Sequence, residues 1–331
     1  MAWTAGQTLH NGKYTIEKEL GRGRLGITYL VKDKAENSLV IRTLDEDLLN
    51  KLTAGQRSRL ETQFTGEALK LERCKHLHVV KVQENFIEDQ LFCVGMEYMV
   101  GNTLETLAQK ALPEKEALGY IRQIAEALIE VHSKDLLHRD VKPANVMIRA
   151  GTSELVLIDF ELAGEFDHPL TARGRDQPFA PMELSSSKIP RGTYTDVYSL
   201  AATLYFLVTG QSPVSALERK HDNASLIPPK EINPEISDQV NNAILKGMAL
   251  VPEERPQTIQ EWLDLLGLKR SISMPRLKSN TMTVLIAVAV VAAVIVPIVA
   301  LIANLRSPSS EPKPSVTPKS QITPTKTNVL S

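Results

Sequence analysis

Apolar and polar positions change their rhythm along this chain. Between residues 14 and 94 they alternate in short runs with a period near two, and from residue 104 onward the period lengthens to that of a helix. The spacing predicts strands over 14–21, 27–32 and Ser38–Leu44, and a short buried strand over 91–96. Within this β-rich part, 57–74 has helical spacing, with Leu60, Phe64, Leu69 and Leu71 among its apolar positions. Glu114–His132 carries Ala, Ile and Leu at helical intervals, as does 196–209, and a last helix over 252–266 closes the folded part. The expected class is α+β, a small β-rich lobe at about 14–97 and a larger helical lobe at about 101–268, forming one domain over 1–268.

The 20 residues 284–303 break both rhythms, because none has a polar or charged side chain and only Pro297 interrupts the run. That matches the ~20 residues needed to cross a bilayer as a helix. The β-branched content is no obstacle in lipid, where backbone groups must pair within the segment. A single transmembrane helix is therefore expected over 282–305. The linker 269–281 before it carries Lys269, Arg270, Arg276 and Lys278. Such a cluster attracts anionic lipid at about 1 kcal/mol per charge, or serves as a plain stop-transfer flank. The tail 306–331, rich in Pro, Ser, Thr and Lys, has too few apolar side chains for a core and is expected to be disordered. Arg306, Lys313 and Lys319 follow the span, so counting basic residues on its two sides does not decide orientation. The first residues show no basic region leading into an apolar run, so no secretory signal is expected there.

Composition narrows the classes. Against 38 Lys and Arg stand 39 Asp and Glu, a near-neutral balance that argues against a nucleic-acid binder with a broad basic face. The two cysteines, Cys74 and Cys93, form no C-x-x-C pair. A disulfide framework or zinc site is not expected, and both read as small buried hydrophobes. His76 and His78 are close in sequence but have no nearby Cys or acidic cluster with which to hold a metal.

The candidate chemistry concentrates in His138-Arg139-Asp140-Val141-Lys142-Pro143-Ala144-Asn145, followed by Asp159-Phe160. Moving a phosphoryl group from a nucleotide to a hydroxyl needs a carboxylate to orient the hydroxyl and accept its proton, a cation for the transferring charge, and hard oxygen ligands for Mg²⁺. Asp140, Lys142, and the pair Asn145 and Asp159 supply these in order. Upstream, Gly21-Arg22-Gly23-Arg24-Leu25-Gly26 fits G-x-G-x-x-G. Dinucleotide-binding folds use the same pattern but follow it with a helix. Here 27–31 reads as a strand, so the glycines form a hairpin whose N–H groups can cover phosphates.

These motifs resemble protein kinases over about 14–266. The segments 196–213 and the opening of the chain are similar to bacterial, cyanobacterial-like, membrane-anchored serine/threonine kinases. The resemblance implies a two-lobed fold with ATP and Mg²⁺ or Mn²⁺ in the cleft. By motif position, Gly21, Gly23, Gly26 and Thr28 belong to the phosphate loop. Arg42, in Leu39-Val40-Ile41-Arg42, stands where the family has lysine, and Glu67 matches its helix partner, so an Arg42–Glu67 pair is expected. Met96, Glu97 and Met99 match the hinge region, and Met147 the pocket floor. Glu183 is expected to pair with Arg255, and Asp196 to brace the catalytic loop. Glu161 replaces the glycine of Asp-Phe-Gly and adds charge near the metal, and Arg175-Asp176 replaces Gly-Thr, putting a carboxylate near Asp140. Thr171 is the candidate regulatory phosphorylation site, with Arg139 as receiving charge, against the alternative of an unmodified loop residue. Lys142 points to the serine/threonine class.

The leading reading is a membrane-anchored serine/threonine protein kinase, its catalytic domain in the cytoplasm because it needs ATP, and its short tail on the opposite side. Its partners are protein substrates and the lipid bilayer, with no nucleic acid; a homodimer is admitted by analogy with membrane kinases. The alternative, motivated by Arg42, Glu161 and Asp176, is a weak or inactive pseudokinase that serves as a nucleotide-binding scaffold. A small-molecule phosphotransferase is disfavoured by the complete helical lobe.

Overall fold

The structure is a computed structural model that describes residues 2–171, 177–186 and 188–268. One unit, Met1–Arg270, contains all of them. The expected linker at 269–281, span at 282–305 and tail at 306–331 lie outside the described residues, as do Arg175 and Asp176. Among the described residues no helix is long and apolar enough to cross a membrane.

The small lobe is a six-stranded antiparallel sheet of β1 (Thr8–Leu9), β2 (Tyr14–Arg22), β3 (Gly26–Asp33), β4 (Ser38–Leu44), β5 (Val82–Glu88) and β6 (Leu91–Glu97), in the order β1-β2-β3-β4-β6-β5. The lobe begins before residue 14, because the Trp3 ring packs on Tyr29 at 5.4 Å between centroids and its indole N–H donates to Asp89 at 3.1 Å. The β2–β3 hairpin pairs Gly21 with Thr28, and β4 pairs Arg42 with Thr28 on one side and Val94 on the other. Arg42 thus stands on a central strand, one strand away from the glycine hairpin. Gly26 is required by packing, since a Cβ there would sit 2.3 Å from the Thr43 carbonyl oxygen.

Two helices follow β4, α1 (Glu46–Leu49) and α2 (Ala54–Arg73). α2 starts earlier than the apolar spacing suggests because Thr53 and Gln56 form a reciprocal capping box. Its buried face is Leu60, Phe64, Ala68 and Leu71. Leu69, expected on that face, is 41% exposed, and Ala68 takes its place.

The large lobe contains α3 (Leu104–Leu107), α4 (Glu114–His132), the small hairpin β7 (Val146–Ile148) and β8 (Leu155–Leu157), and α5 (Thr193–Thr209), α6 (Ala216–His221), α7 (Pro229–Ile232), α8 (Asp238–Gly247) and α9 (Ile259–Leu265). α5 is buried almost all round and is the hub against which α4, α8 and α9 pack. Gly247 permits this packing, since a Cβ would lie 2.6 Å from the Ala201 Cβ and 2.7 Å from the Trp262 indole nitrogen. The helix expected over 252–266 is broken. A 3₁₀ turn at Pro252–Glu254 ends before Pro256, which forbids helical geometry at Arg255, and the chain restarts as α9 with Thr258 capping Glu261 N–H.

Candidate active site

The catalytic-loop residues lie between α4 and β7 and are held from beneath by α5. Asp196 in the first turn of α5 is fully buried, and its carboxylate accepts from the His138 and Arg139 backbone N–H groups at 2.9 Å each and from His132 Nε2 at 2.8 Å. Burial pushes the Asp196 carboxyl up. The hydrogen bond and charge of His132 and the His138 N–H outweigh it and hold the group below the usual carboxylate range. Asp196 therefore braces the loop, as its motif position implies. His138 is also fully buried, donates from Nε2 to the Ile158 carbonyl at 2.9 Å and accepts the Asp140 N–H on Nδ1 at 3.2 Å. Those two bonds require the neutral ring with its proton on Nε2, and burial pushes its pKa down accordingly. Three non-glycine residues around the site sit in the left-handed region: Arg139 (φ 64°), Asp159 (φ 59°) and Ala163 (φ 60°).

Asp140 is the centre of a small polar cluster. Lys142 Nζ and Asn145 Nδ2 each donate to Asp140 Oδ2 at 2.8 Å, and Asn145 Nδ2 also reaches the Asp140 carbonyl at 2.8 Å. Both donors converge on one oxygen, so neither of these bonds occupies Oδ1. Asn145 spends its amide donors on Asp140, which turns its carbonyl oxygen to the acceptor role a cation requires. The Asn145 backbone carbonyl accepts the Ile158 N–H at 2.9 Å and fixes the strand that leads to Asp159.

The arginine on β4 departs from expectation. Arg42 pairs with Asp159, and Glu67 on α2 pairs instead with Arg139 at 2.7 Å and accepts the Ala163 N–H at 2.6 Å. The reach of the guanidinium fork explains the change: Arg42 crosses the cleft to the Asp159 carboxylate, and the Arg139 guanidinium satisfies Glu67. Arg139 also bonds Glu165 at 3.0 Å, so its known partners here are carboxylates.

A cavity of about 810 Å³ opens between the lobes. It lies within the ~300–1,000 Å³ typical of small-ligand sites. Gly21, Gly23, Thr28, Arg42, Met96, Glu97, Met99, Met147, Asp140, Lys142, Asn145 and Asp159 all line it. Gly26 and Glu67 do not; Gly26 serves strand packing and Glu67 the ion pair with Arg139. Val40, Ile158 and Arg24 also line the cavity and were not singled out in sequence. A nucleotide with a divalent cation fits this donor set. Asn145 and Asp159 contribute hard oxygens, and the buried Arg42 Nε has no hydrogen-bond acceptor among the described residues, a donor that a phosphate oxygen would satisfy.

The segment after Asp159 folds back under the glycine hairpin. Glu161 does not leave its charge at the metal position: Arg24 Nε donates to it at 2.6 Å. Burial pulls the Arg24 guanidinium down to about 10, which leaves it charged at neutral pH. Arg24 also donates to the carbonyls of Phe166 (3.0 Å), Thr171 (3.2 Å) and Gly164 (3.3 Å). The Arg24–Glu161 contact spans 137 residues, and no interval in the chain signals it. Thr171 is buried, and its hydroxyl donates to the His168 carbonyl at 2.9 Å, while the Arg139 guanidinium expected to receive its phosphate is engaged by Glu67 and Glu165. Glu183 and Arg255 form the expected pair, bidentate at 2.6 and 3.1 Å with both side chains fully buried.

Comparison with known proteins agrees with this geometry. A family profile described as "Protein kinase domain" matches residues 14–265. Serine/threonine-protein kinase PrkC of Bacillus subtilis is 28% identical over 262 residues, covering 76% of this chain and 39% of the relative. Serine/threonine-protein kinase PknF of Mycobacterium tuberculosis is 30% identical over 278 residues, covering 77% and 56%. A probable serine/threonine-protein kinase of Clostridium perfringens is 30% identical over 286 residues, covering 80% and 39%, so the chain spans less than half of that relative's length. Among solved structures, the PpkA-294 apo form superimposes with a TM-score of 0.61 at 26% identity, covering 80% of this chain and 99% of that one. The Mycobacterium tuberculosis PknI kinase domain does so at 0.61 and 24%, a likeness of fold.

Proposed function

The chain belongs to the protein kinase family, and from that premise we propose that it transfers the γ-phosphoryl group of ATP to serine and threonine hydroxyls of protein substrates while tethered to a membrane by 282–305. The observation that carries the catalytic part is the cluster around Asp140, with Lys142 and Asn145 each 2.8 Å from one of its carboxylate oxygens at the floor of the cleft. In this reading the substrate hydroxyl approaches Asp140, which orients it and accepts its proton as the oxygen attacks the γ-phosphorus, the bond from that phosphorus to the β–γ bridging oxygen breaks and ADP leaves. Lys142 offsets charge building on the transferred group. The N–H groups of the glycine hairpin cover the phosphates, with Gly21 and Gly23 at the cavity wall. Asn145 and Asp159 would hold Mg²⁺ or Mn²⁺, whose charge neutralises the phosphates when bound. Met96, Glu97, Met99 and Met147 enclose the base.

Two further parts of the reading rest on sequence. The apolar length of 284–303 supports the membrane span, and the need for ATP places the catalytic domain in the cytoplasm with the tail opposite. Thr171 is proposed as a site of regulatory phosphorylation.

One observation favours a second reading, a pseudokinase scaffold: Arg42 occupies Asp159, so one side chain of the metal site begins with its charge already matched. A phosphotransfer assay on the full chain in detergent with Mg-ATP and a generic Ser/Thr protein substrate separates the two. Label incorporation that disappears in Asp140→Ala supports the enzyme. Nucleotide-dependent thermal stabilisation without turnover, in both the natural chain and Arg42→Lys, sinks it in favour of the scaffold. Protease protection of 307–331 in sealed vesicles decides the topology.

A further inference from the structure

Glu161, one of the residues that set this chain apart from its family's motifs, meets an arginine of the glycine hairpin in space. Arg24 is at the tip of the glycine hairpin, and Glu161 takes the place of a glycine after Asp159-Phe160. They form an ion pair of 2.6 Å in which the arginine is 16% and the glutamate 10% exposed. The same guanidinium donates to the carbonyls of Gly164, Phe166 and Thr171. One side chain from the small lobe thus gathers four acceptors spread over 161–171. The neighbouring loop arginine, Arg22, is engaged differently, by Glu19 and Asp45 of its own lobe.

The gathered segment is closed in a specific way. Thr171 is 3% exposed, its carbonyl is taken by Arg24 and its hydroxyl by the His168 carbonyl. Leu170 beside it is 54% exposed and lines the cavity together with Asp140 and Lys142. A hydroxyl that is buried and already donating cannot reach a second active site. On the other side of the segment, Arg191 donates to the Gly164 carbonyl at 2.7 Å and Glu67 accepts the Ala163 N–H, so the large lobe and α2 hold the far edge, while Arg24 supplies the side-chain hydrogen bonds that tie it to the glycine hairpin among the described residues.

We propose that the Arg24–Glu161 pair is an autoinhibitory latch, by which the glycine hairpin holds the 161–171 segment closed over Thr171. Arg24 is a positioning residue in this device and touches no reacting atom. The inference deepens the kinase reading, on which it rests only for what the latch controls, namely access of a modifying active site to the Thr171 hydroxyl and of substrate to Asp140.

The test is hydrogen exchange followed by mass spectrometry on the full chain in detergent, without nucleotide, comparing the natural protein with Arg24→Ala, the near-isosteric Glu161→Gln, and the double variant that carries both. Peptides covering 163–171 report on the latch and α5 peptides on global folding. The expected result is at least tenfold faster exchange over 163–171 in each single variant, unchanged α5 protection, and exchange in the double variant no faster than in Arg24→Ala alone, because the second change removes a contact already lost. If Arg24→Ala loosens α5 as well, Glu161→Gln is the variant read. Unchanged exchange over 163–171 in the single variants overturns the latch. So do accelerations that multiply in the double variant, because the two side chains then act independently. A parallel arm adds Mg-ATP to the natural protein and follows the glycine hairpin; absence of protection there counts against nucleotide binding and not against the latch.

Discussion

Arg42 lies on Asp159 and leaves Glu67 to Arg139. A charge on the central strand is thereby spent on the very carboxylate that would hold a cation. Replacing Arg42 by the shorter, point-charged lysine is expected to loosen that contact and to raise the affinity for divalent cation and Mg-ATP by about tenfold, equivalent to ~1.4 kcal/mol. Titration of Mg²⁺ at fixed nucleotide, read by thermal shift, checks this independently of turnover. Equal or weaker affinity in Arg42→Lys would show that the guanidinium does not compete with the metal.

Asp140 carries the proton in the proposed reaction, and its neighbours hold one of its oxygens. Asp140→Asn keeps the shape and removes the base. Turnover is expected to fall by about 10²- to 10⁴-fold, the usual weight of general base catalysis, while the nucleotide-induced thermal shift persists. Loss of both together would place Asp140 in nucleotide binding instead.

The Glu183–Arg255 pair is a structural claim with a stability readout. Arg255 gives Nη1 and Nη2 to Glu183, and its remaining donors to the carbonyls of Ala249, Leu250 and Tyr194, with no exposure of either side chain. Removing Glu183 leaves a buried cation without its anion. Glu183→Ala is expected to cost about 3–5 kcal/mol in urea unfolding. Arg255→Lys is expected to cost most of that, since an ammonium lacks the fork that reaches five acceptors.

The neutral, buried His138 ties stability to pH. Its folded pKa lies below the unfolded one, so the unfolded chain takes up the proton first. The stability it secures is complete above the unfolded value of about 6.5 and is lost as pH falls through and below that value. The melting temperature is expected to drop between pH 7.5 and 5, and to drop less steeply in His138→Asn, which cannot titrate. Parallel pH profiles for the two proteins would refute the assignment.

Much of the scaffold was legible because its signals are local. Glu114–His132 and Ser38–Leu44 follow from period alone, and the glycine hairpin from a strand directly after Gly26. β5 escaped because Val82–Glu88 has only two buried positions, so its alternation is faint. The break at Arg255 was visible as Pro256 but was overridden by the apolar spacing around it. Site residues were found wherever a motif fixes spacing, as from His138 to Asn145. Partner choice among charges was not readable. Arg24, Arg42 and Arg139 face Glu67, Asp159 and Glu161 in the same crevice, and which meets which depends on where α2 and the glycine hairpin come to rest, not on any interval in the chain.

The left-handed backbone at Arg139, Asp159 and Ala163 bears on how the protein fails when heated. Each such residue costs of order 1–3 kcal/mol that its surroundings must supply, and the strain relaxes as soon as those surroundings give way. Elsewhere in the helical lobe, among the described non-glycine residues, this backbone is confined to exposed turns, at Asp135 after α4 and Asn223 after α6, and no residue within the helices themselves adopts it. The cleft is therefore the part of the domain that opens first, ahead of cooperative melting. Thermal inactivation should set in several degrees below the loss of helical signal and should be reversible on cooling, because what has come apart by then is the cleft and not the core.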